Sequence, residues 1–359
     1  MKKWLLLLGW LSVSAWADIS VQDVLGRTVT VKAVPQRVVL GFYYEDYLAI
    51  VGPGAADKLV GLSLATWKDW RPRQYEAYLR ALPQLAQVPD VGTSDDGSFS
   101  LEKVVALKPD LLILAAWNYE ALGANVKKLE DAGVPIVVLD YNSQTVEKHV
   151  ASTLALGKLM GVEARAQELA DNYRRAMDEV MQRVARAPNK SQKVYVELAQ
   201  KGPEHIGNSY GNNMWGALIE QLGGVNIAAG QVQNWGALSK EYVIAQQPEV
   251  IFFAGSEWLN QPQAVALGFG ADVATARARI AAYLERVGYA SFPAVKNKRV
   301  YGIYHGGART LSDYVYAQYL AKALHPEQFA DVNPEENLRA FYQKYLPIAA
   351  DGLFMYHYE

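Results

Sequence analysis

The sequence of 359 residues has no cysteine. This absence excludes disulfides, thiolate metal ligands and the lipid-modified cysteine that tethers many exported proteins. After the first residues there is no apolar run long enough to cross a bilayer. The chain also lacks an excess of basic residues, because 35 Lys and Arg face 37 Asp and Glu. We therefore expect neither nucleic acid nor an anionic membrane surface as a partner.

The N-terminus has the pattern of an export signal. Lys2 and Lys3 precede an apolar run from Trp4 to Val13, and Ala15-Trp16-Ala17 is a small-x-small cleavage site. We expect residues 1–17 to be a signal peptide; the alternative is a short helix kept in the mature protein. An exported protein without a tether stays at the cell only where an outer barrier retains it, so we expect a periplasmic location.

One pattern occurs twice, at positions 139 residues apart: Ser100 to Ala115 and Ser239 to Ala254. In each copy a serine can cap a short helix that has an acidic residue in its first turn. A proline then ends the helix, and a run of Leu, Ile, Val or Phe predicts a buried parallel strand. We therefore predict an α/β fold with two parallel-sheet lobes, and a ligand cleft between them at the carboxyl ends of the strands.

Between the two copies, apolar residues recur at helical spacing from about Thr145 to Ala187, with an interruption at Gly161 and a stop at Pro188. This pattern predicts that a single long helix joins the lobes, although a helix packed on one lobe alone would give the same pattern. The expected division is a signal peptide at 1–17, an N-terminal lobe at 18–144, a linking helix at 145–188 and a C-terminal lobe at 189–359.

The order and spacing of several motifs resemble the helical-linker class of periplasmic substrate-binding proteins, which serve ABC importers and carry iron-siderophore complexes, haem or cobalamin. The motifs are Ser100-Leu101-Glu102 with Leu107-Lys108-Pro109-Asp110, the long helix, Gly223-Gly224-Val225-Asn226, and Ser239-Lys240-Glu241 with Gln247-Pro248-Glu249. The resemblance implies a binding protein without a cofactor or an enzymatic activity, with an inner-membrane ABC permease as its partner. We expect it to act as a monomer.

The resemblance also implies that Glu102 and Glu241 dock into arginine pockets on the permease, one from each lobe. There is a simpler explanation for each residue. The helix dipole favours a carboxylate in the first turn by about 0.3–1 kcal/mol without any partner. A glutamate at the equivalent position in both halves favours docking, because a two-lobed protein needs one anchor per lobe.

Aromatic residues occur in nearly every loop that follows a predicted strand. Large planar faces with a few polar groups suit a bulky, partly aromatic ligand. We therefore predict a metal chelate, with a ferric siderophore favoured and haem or cobalamin as alternatives. The predicted ligand-binding residues are Tyr43, Tyr44, Glu45, Trp67, Trp117, Tyr210, Asn212, Trp235, Trp258, Tyr304, His305 and Arg309.

Arg309 is the sharpest polar candidate, because its planar guanidinium can pair with carboxylates or with the negative oxygens of a ferric chelate. A local salt bridge would also explain it. Tyr304 or His305 could coordinate iron directly, but the sequence has no closely spaced His and carboxylate pattern, so no protein metal site is predicted.

One motif points to a different class of protein. Gly207-Asn208-Ser209-Tyr210-Gly211 fits G-x-S-x-G, and Asp272 and His305 follow in the chain order of a secreted serine esterase. A nucleophile elbow requires a strand that runs directly into it, whereas Lys201-Gly202-Pro203-Glu204 interrupts the preceding strand. The sequence therefore favours binding over catalysis.

Overall fold

The computed structural model describes residues 18–188 and 191–359. The expected signal peptide, residues 1–17, lies outside the described residues. Across the two described ranges, none of the helices combines the length and the apolar character that crossing a membrane would require.

The N-terminal lobe is built on a parallel sheet of four strands in the order β4-β3-β5-β6. An antiparallel hairpin, β1 with β2, precedes it. The central strand β5 is buried along its whole length, which explains its uninterrupted apolar sequence. The strands are β1 (Ile19–Gln22), β2 (Thr28–Val31), β3 (Val38–Leu40), β4 (Leu59–Leu62), β5 (Leu111–Ala115) and β6 (Ile136–Leu139).

Helices connect the strands of this lobe. The helix of the first repeat copy begins where expected, because the Ser100 side chain accepts a hydrogen bond of 3.2 Å from the Lys103 amide. The helices are α1 (Tyr44–Val51), α2 (Ala65–Lys68), α3 (Pro72–Ala81), α4 (Leu101–Ala106), α5 (Ala116–Leu122) and α6 (Asn125–Asp131).

The link between the lobes is helical, but it is a pair of helices rather than the continuous one expected over 145–188. Helix α7 (Val146–Leu159) and helix α8 (Glu163–Ala185) pack against each other. Gly161, with φ of 67°, turns the chain between them in the left-handed conformation that glycine adopts readily. The interruption in the sequence pattern at Gly161 is therefore a helix end. The lobe boundaries stay predictions.

The C-terminal lobe is built on a sheet of five strands in the order β15-β13-β11-β7-β9. Four are parallel, and β15 runs antiparallel beside β13. Two small antiparallel pairs, β8 with β10 and β12 with β14, lie outside this sheet. The strands are β7 (Lys193–Leu198), β8 (Asn208–Tyr210), β9 (Val225–Asn226), β10 (Trp235–Ala237), β11 (Val250–Gly255), β12 (Gly268–Phe269), β13 (Val300–Tyr304), β14 (Gly352–Leu353) and β15 (Met355–Tyr358).

Helices also connect the strands of the second lobe, and its repeat copy has the same start signal. The Ser239 side chain accepts a hydrogen bond of 3.1 Å from the Tyr242 amide. The helices are α9 (Met214–Gln221), α10 (Lys240–Gln246), α11 (Val273–Leu284), α12 (Pro293–Lys296), α13 (Tyr314–Leu324) and α14 (Pro334–Tyr345). The predicted α/β fold of two parallel-sheet lobes is confirmed.

Buried hydrogen bonds fasten the lobes to each other and to the linking helices. The Tyr342 hydroxyl of α14 donates to Glu45 of α1 at 2.7 Å. His149 of α7 bonds Asp313, the residue before α13, at 2.9 Å, and both side chains are fully buried. Because helix α8 packs against α1 and α13 as well, these contacts join the two lobes on one side of the crevice between the sheets.

Candidate ligand-binding cleft

A cavity of about 360 Å³ lies between the lobes. Several of its wall segments follow parallel strands, at the edge where open parallel sheets bind ligands. Asn142 follows β6, Gln200 follows β7 and His305 follows β13. The lining residues are Trp70, Asp95, Trp117 and Asn142 from the N-terminal lobe, and Leu198, Gln200, Tyr210, Asn213, Met214, Asn234, Trp235, Trp258, His305 and Arg309 from the C-terminal lobe.

Aromatic rings form much of this wall. Trp258 lies 5.9 Å from the His305 ring, measured between centroids, and the Tyr210 hydroxyl is hydrogen-bonded to Nδ1 of His305 at 3.0 Å. Trp235 is paired with Tyr210 across the small β8–β10 ribbon, yet 59% of it is exposed. The cavity can therefore cover a planar ligand with rings from both lobes.

Arg309 is a buried cation without an ionic partner in the described part of the chain. It is 8% exposed, and its guanidinium lies 5.2 Å from the centroid of the Phe42 ring. Nη1 contacts the Met214 sulfur at 3.7 Å, whereas Nε is buried and has no hydrogen-bond partner. Burial and the positive charge of Arg71 lower the pKa of Arg309 to about 10, so it stays charged at neutral pH. Arg309 therefore does not form the local salt bridge that was the alternative explanation for it, within the described residues.

Two further buried polar atoms at the cavity have no partner among the described residues. They are Nε1 of Trp117, a donor from the N-terminal lobe, and Oδ1 of Asn213, an acceptor from the C-terminal lobe. An unsatisfied buried polar atom costs about 1–3 kcal/mol, and such atoms are rare. Together with Nε of Arg309, they give the cavity two donors and one acceptor that a ligand can satisfy.

His305 presents a neutral imidazole to the cavity. Burial, together with the positive charges of Arg309 and Arg71, holds the pKa of His305 well below its ordinary value. Tyr304 is 3% exposed, and burial raises the pKa of its phenol. Within residues 18–188 and 191–359, no group of three or more His, Asp or Glu side chains is placed to hold a metal ion.

The structure brings six of the twelve predicted ligand-binding residues to the cavity. Contact between these residues and a ligand stays a prediction. They are Trp117, Tyr210, Trp235, Trp258, His305 and Arg309.

The other six lie elsewhere. The rings of Tyr44 and Trp67 stack on each other in the core of the N-terminal lobe, with their centroids 4.6 Å apart. Glu45 is buried between the lobes, where Tyr342 and Tyr78 donate to it, and burial raises its pKa. The three that remain are Tyr43, Asn212 and Tyr304.

Each of these three is close to the cavity without lining it. The Tyr43 hydroxyl donates to Oδ1 of Asn142 at 2.6 Å, so it positions a residue of the wall. Asn212 is exposed, and its amide bonds the Gln233 carbonyl. Tyr304 faces a much smaller chamber that it shares with Arg71.

Eight lining residues are not among the twelve that the sequence predicted: Trp70, Asp95, Asn142, Leu198, Gln200, Asn213, Met214 and Asn234. Asn142 and Gln200 follow parallel strands, so the rule used for the other loops would have found them. Leu198 and Met214 are apolar and resemble core residues, so no signal in the sequence distinguishes them.

The residues of the esterase alternative do not come together. Ser209 is fully buried in β8, and its hydroxyl donates to the Val196 carbonyl at 2.6 Å. His305 bonds Tyr210 instead, and Asp272 is an exposed cap that accepts from the Thr275 amide at 2.9 Å. A serine without a neighbouring base, and without access to solvent, cannot act as a nucleophile.

The two predicted docking residues occupy equivalent positions. Glu102 and Glu241 are the second residues of α4 and α10, and both are exposed. Neither forms an ion pair within the described ranges, so both carboxylates are accessible to a partner.

Comparison with known proteins identifies relatives of similar length. The sequence profile of the family described as "Periplasmic binding protein" matches residues 38–305. The crystal structure of the TroA-like periplasmic binding protein FepB from Veillonella parvula is 33% identical, covers 95% of this chain and 100% of its own, and superposes with a TM-score of 0.88. The molybdate-binding protein MolA of Haemophilus influenzae is 25% identical over 94% of both chains. A vitamin B12-binding protein of Pectobacterium atrosepticum is 23% identical over 62% of this chain and 73% of its own.

Proposed function

The chain belongs to the periplasmic binding protein family, in the class whose lobes are joined by helices, and on that premise we propose that its cleft captures a metal chelate, with a ferric siderophore as the favoured ligand. It is a substrate-binding protein of an ABC importer, and not an enzyme. Its action is to bind the ligand and deliver it to the permease.

The observation that carries the proposal is that Arg309, which has no ionic partner among the described residues, lies in a cavity walled by indole rings. A ferric siderophore surrounds its metal with negatively charged oxygens, and its chelating groups are often planar. The guanidinium would pair with those oxygens, and Trp117 and Trp258 would cover the planar groups. Because the chelator already supplies the metal's ligands, the cleft needs no metal-binding cluster of its own.

The size of the cavity favours a compact chelate. A volume of about 360 Å³ is near the lower end of the roughly 300–1,000 Å³ that is usual for small-molecule sites. Cobalamin, which carries a nucleotide loop beneath its corrin ring, would require the lobes to move apart. Haem is flatter, and haem and cobalamin remain the alternative chelate ligands.

An oxyanion is the second candidate ligand. One relative is named for molybdate, and the donors of Arg309 and Trp117 would suit the oxygens of such an anion. A small tetrahedral anion would leave the aromatic wall without contacts, whereas a siderophore would use it. This difference favours the chelate.

We also propose that Glu102 and Glu241 dock on the permease, and that the protein works in the periplasm. Both carboxylates are exposed and have no ionic partner in the part of the chain that the structure describes, which supports docking, since exposed charge pairs mainly orient a complex. The expected signal peptide supports the location.

Calorimetric titration of the purified mature protein tests the ligand. The panel comprises a ferric catecholate, a ferric hydroxamate, ferric citrate, haemin, cobalamin and molybdate. We expect saturable binding of at least one ferric chelate and weaker binding of the rest. Tightest binding of molybdate would establish the oxyanion instead, and no binding across the three ferric compounds would overturn the siderophore proposal.

A further inference from the structure

A polar contact joins the lobes beside the cavity, separate from the buried bonds between α1, α7, α13 and α14. Nε of Arg73, in α3, lies 3.1 Å from Oε2 of Glu257, which follows β11. Arg73 also donates to the Gly270 carbonyl. Trp258, the next residue after Glu257, lines the ligand cavity, as does Trp70 on the opposite lobe.

Two hydrogen bonds to main-chain carbonyls reinforce this contact. The Ser256 hydroxyl donates to the Trp70 carbonyl at 3.3 Å, and the Leu259 amide donates to the Asp69 carbonyl at 3.4 Å. The segment 256–259 therefore follows the segment 69–73 across the crevice and closes one side of the cavity. Any opening of the lobes on this side must separate Glu257 from Arg73.

The negative charge of Glu257 is only weakly balanced by positive charge, although its carboxylate lies at the interface between the lobes. Its side chain is 15% exposed, whereas that of its single ionic partner in the described chain, Arg73, is 54% exposed. An exposed partner is screened by water and stabilises a buried charge only weakly. The charged and titratable groups that face Glu257 are Arg73 and Glu76 of α3, Asp272 before α11, and Arg71 and Tyr304 in the adjoining chamber.

These surroundings change the protonation of Glu257. Burial raises the pKa of Glu257 to about 7; Arg73 opposes this shift, and the negative charges of Glu76 and Asp272 add to it. If the lobes separate here, water reaches the carboxyl and its pKa returns towards the ordinary value of about 4.3. The closed contact therefore binds a proton more tightly than the open one does.

We propose that closure of the lobes at Glu257 takes up one proton, so that acid holds this side of the cleft closed and alkali loosens it. The sign follows from linkage: a carboxyl with a raised pKa in the closed state favours closure fully below its open-state pKa, and this contribution is lost as pH rises through about 7. The proposal rests on the proposed function, since it concerns regulation of the same cleft.

The test measures the distance between the lobes without any ligand. The natural absence of cysteine allows a double variant, Val105→Cys and Val287→Cys, to be labelled cleanly at two exposed positions on opposite lobes. Single-molecule energy transfer between the two dyes is recorded from pH 5.5 to 8.5 in the mature protein. We expect the fraction of molecules with closed lobes to fall in one single-proton transition centred near pH 7.

Three variants in the labelled background make the result specific. Glu257→Gln, which resembles the protonated carboxyl, should stay closed throughout and lose the transition. Glu76→Gln removes a neighbouring negative charge and should move the midpoint to lower pH, whereas Arg73→Gln should move it to higher pH. Circular dichroism at both pH limits checks that each variant is folded.

A lobe distance that does not change between pH 5.5 and 8.5 would overturn the proposal, as would a transition that survives Glu257→Gln. If Glu257→Gln does not fold, the opposite shifts expected for the two neighbours decide the question. Because no siderophore is used, the result is independent of whether the ligand is correctly identified, and failure of either proposal can be recognised separately.

Discussion

At the scale of single residues, Arg309 combines several unfavourable features. Its φ of 63° is in the left-handed region, which costs a non-glycine residue on the order of 1–3 kcal/mol. Its charge is buried without a carboxylate, and its Nε has no hydrogen-bond partner in the described chain. A residue under such strain is typical of a ligand-binding position, where the cost is offset when an anion binds.

Replacing Arg309 should therefore weaken ligand binding more than it weakens folding. A hydrogen bond to a charged group contributes about 1.5–3 kcal/mol, so we expect Arg309→Gln to lower affinity for the ferric chelate roughly 10- to 100-fold. Calorimetry of the variant measures this loss.

Arg299→Gln is the matched control. Arg299 precedes β13, whereas His305 follows it, so the two ends are separated by about 20 Å of strand. The control should retain full affinity. Equal loss in both variants would show that the effect is a general one on the C-terminal lobe.

The sequence was least able to predict which individual side chains reach the cavity. Tyr43 and Tyr44 are neighbours, but one hydroxyl supports the cavity wall and the other lies in the core. The sequence identifies a loop at the end of a strand, whereas the direction of each side chain depends on the backbone angles within that loop. Leu198 and Met214 were missed because nothing in their type separates a cavity wall from a core.

At the scale of elements, the linking hairpin depends on close approach of its two helices. A Cβ atom added to Gly157 of α7 would lie 2.1 Å from the Cβ of Ala166 in α8. The two helices must therefore move apart if any side chain is introduced at this position.

Gly157→Ala should destabilise the protein, although alanine normally stabilises a helix interior relative to glycine. Overpacking of a tight interface costs about 1–3 kcal/mol, and we expect a loss of free energy of unfolding of that size in urea titration. Ala151→Gly on the exposed face of α7 measures the backbone contribution alone, about 1 kcal/mol. A gain in stability for Gly157→Ala would show that the hairpin is less tightly packed.

The elements themselves followed well from the sequence where local chemistry decides them. The serine caps and the prolines within both repeat copies located α4, β5, α10 and β11. The division into α7 and α8 was missed because apolar residues recur at helical spacing on both sides of Gly161, so the interruption there was read as a break within one helix. The β8–β10 ribbon was missed because its register depends on pairing between distant residues rather than on alternation.

At the scale of the whole molecule, the duplicated pattern was enough to predict two lobes, their sheets and the cleft between them. Parallel strands bring their carboxyl ends to one edge whatever the individual side chains are, so the place of the cleft follows from topology. The identity of the ligand does not follow in this way, since it depends on which polar atoms remain unpaired after folding.

The proposed docking on the permease involves the whole molecule, because it uses one glutamate from each lobe. We expect the double variant Glu102→Arg and Glu241→Arg to abolish import of the radiolabelled ferric chelate in cells while its affinity for the ligand stays unchanged. Each single reversal should leave partial transport, since one anchor remains. A double variant of the exposed neighbouring residues, Lys103→Glu and Lys240→Glu, is the control for a general effect of surface charge and should retain transport. A parallel loss of affinity in the glutamate variant would contradict a role in docking.

The distribution of tryptophan has an optical consequence. Three of the nine tryptophans lie in residues 1–17, and four of the other six, Trp70, Trp117, Trp235 and Trp258, surround the cavity. Ferric chelates absorb strongly at the wavelengths where indoles emit, so a bound chelate would quench the fluorescence of most of these tryptophans by energy transfer. The molecule thus carries an intrinsic gauge of its own occupancy, and loading and hand-over could be followed in real time without attaching a dye.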